Sequence, residues 1–343
     1  MDNITHSLFA VTLANAGLGR AGRGTTAALV LASNIPDIEV LTAFTDGRIA
    51  YLAAHRGPTH GPLGLGLALA TAAVVWLVQR IRGRRDGAAS VPALAAASAV
   101  AVVGHIAMDL ATSYGTRVLS PFRETWYGVD WLPIVDIYLW GVLAGLLAAG
   151  MKRPEWRRRL ALAALVLTAG NYALRAGAHQ AALREAVSIE TRDVPGSSPR
   201  AHLAFRYLGP NEPAALPAAL PTLGSPFRWR LITRLPNGFA VREINLLRRG
   251  DAGDPIVFPD ERGASVERAA LASVARTFLA FSRFPSAESM AHKNGDVTVH
   301  WYDMRFAQRV VAPADGRAHT SPFGAWVRLS PSGSVVGQGL GPG

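Results

Sequence analysis

Histidine and aspartate side chains recur in this sequence at spacings that could bind a metal ion. His105 and Asp109 lie four residues apart within an apolar run. In a helix this separation places both side chains on one face, close enough to reach a common cation. The alternative for this pair is a buried hydrogen bond between the imidazole and the carboxylate, with no metal.

Three further motifs carry candidate ligands. Pro36 should kink the apolar segment that contains Asp37. The kink either opens a polar pocket around Asp37 or ends the helix and leaves that carboxylate in water. His55 and His60 lie in a loop rich in glycine and proline, which could also be a plain solvent loop. His6 precedes the first apolar run.

The absence of cysteine narrows the chemistry of any such site. A chain with no cysteine has no disulfides, no thiolate metal sites and no cysteine nucleophile. Imidazole and carboxylate ligands suit Zn²⁺, with Mn²⁺ or Fe²⁺ as alternatives. Without thiolates, an open catalytic site is favoured over a closed structural zinc site.

The elements that must position these ligands are apolar segments. Half of the residues are hydrophobic and 17% are charged, against about 25% charged in an average soluble domain. A helix needs about 20 residues to cross a bilayer. We therefore predict a mainly α-helical, multi-pass membrane bundle of about six spans. The apolar stretches are residues 7–19, 25–45, 62–79, 91–112, 133–151 and 160–175.

Loop charges predict the orientation of this bundle. Basic residues follow the first, third and fifth stretches, and basic loops remain in the cytoplasm. The N-terminus and everything after residue 178 should therefore be extracytoplasmic, with the candidate ligands near the outer ends of their segments. These basic residues are Arg20, Arg23, Arg80, Arg82, Arg84, Arg85, Lys152, Arg153, Arg157, Arg158 and Arg159.

Residues 179–343 have a different pattern, and we predict a second domain there after a transmembrane metal-site domain of residues 1–178. Alternating apolar runs predict strands, and Leu235–Phe239 has the composition of a hairpin turn. A helix is predicted near Val266–Phe281. The second domain should be a small α+β, mostly antiparallel, extracytoplasmic domain. The predicted strands are His202–Tyr207, Phe227–Thr233, Phe239–Leu247, Val297–Met304 and Ala325–Leu329.

The net charge of the chain and two arginines in predicted loops indicate which partners the protein binds. The net charge of +11 is spread along the chain without a basic block, which argues against nucleic-acid binding. Membrane lipids are expected partners, and the sequence does not predict an oligomeric state. Arg56 and Arg117 lie in outer loops and could bind a phosphate or carboxylate of a substrate. Alternatively, both side chains simply extend to the membrane interface.

The ordered motifs resemble a known family. Asn3-x-x-His6, Pro36-Asp37, His55-Arg56-Gly57-x-x-His60 and Gly104-His105-x-x-x-Asp109 resemble the YdjM-like inner-membrane metal-dependent hydrolases. The resemblance extends through residues 112–122 and 134–136 and covers residues 1–178. It implies a bacterial inner-membrane protein with a metal-dependent hydrolase activity.

The order of the ligands is also similar to that of the zinc-dependent phospholipase C and single-strand nuclease superfamily. This similarity implies that Asp37, His60, His105 and Asp109 hold a first zinc ion. It also implies that His6 binds a neighbouring zinc ion bridged by Asp109, and that Asp37 could accept a proton from water. The superfamily's downstream His…His-x-x-x-Glu set is missing here, so one or two metal ions are expected. Asp136 is then a candidate extra ligand or a residue that orients a ligand.

The expected function is hydrolysis by metal-activated water at the outer face of the inner membrane. A bound metal lowers the pKa of water to about 7 and polarises a phosphoryl oxygen. A phosphoester or a lipid-linked molecule is the expected substrate. Two other functions stay open: a metal or proton transporter, and a non-catalytic membrane anchor for the outer domain.

Overall fold

A computed structural model of the chain describes residues 1–193, 217–248, 252–309, 319–320 and 323–341. The strand predicted over His202–Tyr207 lies outside these residues. The chain forms two compact units. The first contains Met1–Val40, His55–Ala178 and Pro221–Pro226. The second contains Leu41–Ala54 and the described parts of 179–220 and 227–343.

Helices build the first unit. Within the described residues, four 3₁₀ segments lie between these helices: Leu18–Ala21, Ile35–Leu41, Pro58–His60 and Pro154–Trp156. The helix that begins at Arg157 continues into the second unit, to which the short helices Thr42–Thr45 and Gly47–Ala54 also belong. The helices before residue 194 are α1 (Asn3–Ala16), α2 (Thr25–Ala32), α3 (Thr42–Thr45), α4 (Gly47–Ala54), α5 (Leu63–Ile81), α6 (Val91–Leu110), α7 (Ile137–Lys152) and α8 (Arg157–Asp193).

Side-chain caps start several of these helices where the sequence offers a short polar residue. Asp2 accepts a hydrogen bond from the backbone N–H of Thr5 at the start of α1, and Ser90 caps α6 in the same way. Asp136 caps α7. Such caps satisfy backbone donors that a first helical turn leaves without partners.

Small residues allow the helices of the first unit to approach closely. Ala10, Ala32, Ala68 and Ala101 are almost fully buried in one core cluster, and small side chains are typical of helix contacts in membranes. A Cβ atom at Gly64 would lie 2.6 Å from the backbone oxygen of Thr59. The glycine therefore allows the chain before α5 to fold tightly against that helix.

The number of candidate membrane spans is smaller than the sequence predicts. In the part of the chain that the structure describes, three helices are long and apolar enough to cross a bilayer: Leu63–Ile81, Val91–Leu110 and Pro154–Ile189. A fourth is possible if Thr25–Ala32 and Ile35–Thr45, bent by 49°, are one broken span. The prediction of six spans is not supported, because α1 has 14 residues and α7 has 16, both short for the hydrocarbon thickness.

Within the described residues, two four-stranded sheets and one two-stranded sheet confirm the predicted α+β character of the C-terminal region. In the strand numbering given at the end of this paragraph, their orders are β1-β2-β3-β4, β10-β9-β6-β5 and β7-β8. The predicted hairpin joins β2 to β3, with Leu235 paired to Gly238. The strands are β1 (Ala218–Thr222), β2 (Ser225–Leu235), β3 (Gly238–Asn245), β4 (Ile256–Pro259), β5 (Pro285–Ala291), β6 (Val297–Asp303), β7 (Gln308–Arg309), β8 (His319–Thr320), β9 (Gly324–Leu329) and β10 (Val335–Leu340).

The single helix predicted over Val266–Phe281 is two helices, α9 (Ala264–Ala269) and α10 (Ser273–Phe281). The break lies at Ala272, whose backbone is extended. Phe278 of α10 packs with Val299 and Val327 of the second sheet in one core cluster. This apolar face of α10 anchors the helices to the sheet.

Candidate metal centre

Four of the predicted ligands converge inside the first unit. One ligand atom from each of Asp37, His60, His105 and Asp109 lies within 4.8 Å of the others. Three chain segments supply these residues. Asp37 lies in the 3₁₀ segment after α2, and His60 ends the short 3₁₀ turn before α5. His105 and Asp109 lie one turn apart on α6.

The distances among these atoms match a tetrahedral cation site. The two Nε2 atoms of His60 and His105 are 3.1 Å apart. Asp109 Oδ2 lies 3.3 Å from the first and 3.6 Å from the second. Asp37 Oδ1 lies 3.6 Å and 3.7 Å from the same two nitrogens. Ligands of a tetrahedral site with bonds of about 2.0–2.1 Å lie about 3.3 Å apart, so these distances are compatible with a bound metal ion.

Hydrogen bonds orient the imidazole of His105 for such a role. His105 Nδ1 lies 2.8 Å from the backbone oxygen of Ser33. A carbonyl oxygen can only accept, so Nδ1 carries the proton and donates it. Nε2 therefore presents a lone pair towards the other ligand atoms, as a metal-binding histidine does.

Burial keeps the loop histidines neutral. His60 is fully buried, and burial lowers its pKa to about 3, although the charge of Glu39 opposes this shift. Burial also lowers the pKa of His55, opposed by its hydrogen bond to Glu39. Neutral imidazole is the form that binds metals.

The other oxygen of Asp109 faces a further histidine. His6 Nε2 lies 3.4 Å from Asp109 Oδ1, and the His6 ring stacks on that of His105 with centroids 3.8 Å apart. Neither ring nitrogen of His6 makes a hydrogen bond within the described part of the chain, although both are buried. A buried imidazole without hydrogen-bond partners is costly, which fits a second cation beside Asp109.

Arg56 contacts the same carboxylate. Its Nε lies 2.9 Å from Asp109 Oδ2 and its Nη2 lies 3.1 Å from Oδ1. Nη1 donates to Thr112 Oγ1 and to the backbone oxygen of Gly115, and the amino group of Met1 also contacts Asp109. Arg56 is buried, so its side chain does not extend to the membrane interface.

Sequence reasoning missed Glu39, which is buried beside the loop that carries His55 and His60. Its carboxylate accepts from His55 Nδ1 at 3.0 Å and from Thr59 Oγ1 at 2.6 Å, and also from the backbone N–H of Arg56. The signal that could have identified it is the Pro-Asp-x-Glu spacing, which places a second acid one turn after Asp37.

The remaining predicted site residues lie outside the group of four. His55 bonds to Glu39. Arg117 pairs with Glu124 at 2.7 Å and donates to the backbone oxygen of His55. Asp136 is not brought to the group: one oxygen caps α7, and the other lies 2.8 Å from Arg175 Nε. The interpretation of Asp136 as a ligand therefore has no support in this geometry.

Comparison with known proteins identifies one family. The family model described as "YdjM inner membrane protein" matches residues 1–179, the region that contains every member of the group. No curated protein and no solved structure is significantly similar to the chain.

Proposed function

The chain belongs to the YdjM family of inner membrane proteins, and we propose that it is a membrane-embedded, metal-dependent hydrolase. The observation that carries this proposal is the convergence of Asp37, His60, His105 and Asp109 at ligand-to-ligand distances. The proposed substrate is a phosphoester or a lipid-linked molecule at the outer face of the membrane. The order of these ligands, similar to that of the zinc-dependent phospholipase C superfamily, supports the reaction class.

The donor set favours zinc. Two imidazole nitrogens and two carboxylate oxygens suit Zn²⁺, and Mn²⁺ or Fe²⁺ would accept the same ligands. One ion is expected among the four residues. His6 with Asp109 Oδ1 would serve a second if that ion displaced the amino group of Met1, which contacts this oxygen. When bound, the metal supplies hydroxide at neutral pH and polarises a phosphoryl oxygen.

Three side chains have proposed roles besides metal binding: proton transfer, positioning of a ligand and substrate binding. The side chain of Asp37 is 15% exposed, whereas His60, His105 and Asp109 are fully buried. Asp37 is therefore the ligand placed to accept a proton and pass it to solvent. Arg56 holds Asp109, and Arg117 at the rim is the candidate to bind an anionic group of the substrate.

Helix termini support an outward-facing site. Basic residues gather at one end of the first unit, where Arg23 N–H donates to the backbone oxygen of Gly87 and Arg158 Nε donates to that of Ala16. The candidate ligands lie instead near the start of α5 and the end of α6. Because basic ends remain cytoplasmic, the metal centre should face the extracytoplasmic side, as should the residues after α8.

Metal analysis combined with a hydrolysis assay tests this proposal. We expect detergent-purified protein to contain zinc and to hydrolyse bis(p-nitrophenyl) phosphate. His105→Ala and Asp109→Asn should lose the metal and reduce hydrolysis to background. His292→Ala, which removes an imidazole in the second unit bonded to Thr298, is the matched control and should change neither quantity.

Two outcomes would overturn the proposal. Unchanged metal content in both ligand variants would remove its basis. A metal-loaded protein that hydrolyses nothing in detergent but moves the ion across sealed vesicles would instead identify a transporter.

A further inference from the structure

Glu39 is connected to the metal centre through Thr59. Thr59 Oγ1 lies 2.6 Å from Glu39 Oε2 and 3.1 Å from His60 Nδ1. Glu39 Oε1 lies 3.7 Å from the same nitrogen. These three side chains form a chain of hydrogen bonds that ends at His60 Nδ1, whereas Nε2 of the same ring faces the other ligands.

The chemistry of each group fixes the direction of this chain. An ionised carboxylate can only accept, so Thr59 donates its single hydroxyl hydrogen to Glu39. The Thr59 oxygen is then an acceptor towards His60, and His60 Nδ1 carries the proton. Nε2 of His60 is left with a lone pair.

This assignment changes the meaning of the contact between His60 and His105. Two neutral imidazoles 3.1 Å apart could simply share one hydrogen bond. His105 Nδ1 donates to the backbone of Ser33, so its Nε2 also presents a lone pair. With the proton of His60 on Nδ1, two lone pairs face each other, and only a cation between them makes the contact favourable.

We propose that Glu39 is a positioning residue that, through Thr59, keeps the proton of His60 on Nδ1 and so converts the His60–His105 contact into a pair of metal ligands. The inference rests on the proposed metal site but not on hydrolysis. Glu39 holds the rest of the loop as well, because Oε1 accepts from His55 Nδ1 and from the backbone N–H of Arg56.

The variant Glu39→Gln should reverse the hydrogen-bond chain. An amide group in the place of Oε2 donates to Thr59, which then donates its own hydrogen to His60 Nδ1. The proton of His60 moves to Nε2, where it bonds to His105. We expect zinc affinity to fall by about 10–100-fold, the usual effect of removing a group that orients a metal ligand.

Two measurements test the inference. Nitrogen-15 NMR of histidine-labelled, metal-free protein should assign the proton of His60 to Nδ1 in the wild type and to Nε2 in Glu39→Gln. Zinc titration should give the affinity loss, and the d–d spectrum of bound Co²⁺ should differ from that of the wild type. A merely structural role would lower the amount of folded protein without changing either spectrum.

Matched variants keep the result interpretable. Glu124→Gln makes the same chemical change at the Arg117 pair and should leave the tautomer and the affinity unchanged. Thr59→Val breaks only the branch to His60 and, should Glu39→Gln fail to fold, provides the test with a smaller affinity loss.

The inference is overturned if wild-type His60 carries its proton on Nε2. It is also overturned if neither Glu39→Gln nor Thr59→Val changes the tautomer and zinc affinity. A wild-type protein that binds no zinc would overturn the proposed function, whereas the tautomer of the metal-free protein is measured independently of that result.

Discussion

Two groups of charged side chains are buried in the first unit, and they differ in how their charge is balanced. Asp136 and Arg175 are both fully buried and form an ion pair at 2.8 Å, with Asn171 donating to the same carboxylate. In the candidate metal centre, Arg56 and the amino group of Met1 contact Asp109, whereas the side-chain contacts of Asp37 are to the imidazoles of His60 and His105. The charges of the first group balance each other within the chain, although no guanidinium nitrogen of Arg175 makes a hydrogen bond within the described residues. The second group could hold a metal ion.

This difference separates stabilisation of the fold from function. A buried charge is costly unless a partner of opposite sign compensates it. The Asp136–Arg175 pair meets this condition by itself, so removing one partner should destabilise the fold whether or not a ligand is bound. In the proposed metal centre, a bound cation would balance part of the carboxylate charge. This centre should therefore contribute to stability only when metal is bound.

The largest predicted effect is at the Asp136–Arg175 pair. Asp136→Asn keeps a residue that can cap α7 but leaves the Arg175 guanidinium buried without its counter-ion. We expect the free energy of unfolding in detergent to fall by about 3–5 kcal/mol, with zinc affinity unchanged in the folded fraction. Denaturant titration monitored by circular dichroism measures this loss.

The double variant Asp136→Asn/Arg175→Met is its control. Removing both charges should recover most of the lost stability, because replacing a buried ion pair by apolar groups is often neutral. If Asp136→Asn instead lost its zinc while remaining stable, Asp136 would belong to the metal centre and the contrast between the two groups would be wrong.

A smaller effect is predicted for zinc itself. A ligand that binds only the folded state stabilises it by about 2.7 kcal/mol at one hundred times its dissociation constant. Zinc at that excess should therefore stabilise the wild type by this amount, whereas His105→Ala should gain nothing. Thermal unfolding with and without zinc measures the shift.

The double variant of the ion pair provides a further test of the zinc effect. Asp136→Asn/Arg175→Met should keep the full response to zinc, since its metal centre is intact. A zinc-dependent gain in His105→Ala would mean that zinc binds elsewhere, and the assignment of the cation to this group would fail.

The local part of the metal centre could be predicted from the sequence. His105 and Asp109 share a helix face because of their spacing alone, and Pro36 does break the segment that carries Asp37. The position of His60 depends instead on a close backbone approach that spacing does not reveal. A Cβ atom at Gly61 would collide with the backbone oxygen of Ser120, so glycine is needed to place this turn.

The sequence does not reveal the role of a residue whose partners lie far along the chain. Asp136 has the type and location of a ligand, but Arg175, 39 positions later, takes its carboxylate. Glu39 lies in the same 3₁₀ segment as Asp37. Its role follows from its hydrogen bond to His55, which the sequence does not reveal. The span count failed because α1 ends at Ala16 and α7 begins only at Ile137, which leaves both helices short for a bilayer.

The smallest predicted effect concerns the rim of the site. Glu124 is 53% exposed and pairs with Arg117 at 2.7 Å, and an exposed pair contributes about 0–1 kcal/mol to stability. Glu124→Gln should therefore change the free energy of unfolding by less than about 1 kcal/mol and leave the zinc affinity as it is. A loss of stability as large as that expected for Asp136→Asn would show that the Arg117–Glu124 pair behaves as a buried ion pair. A loss of zinc affinity alone would show instead that Arg117, which donates to the backbone of His55, transmits the charge of Glu124 to the metal loop.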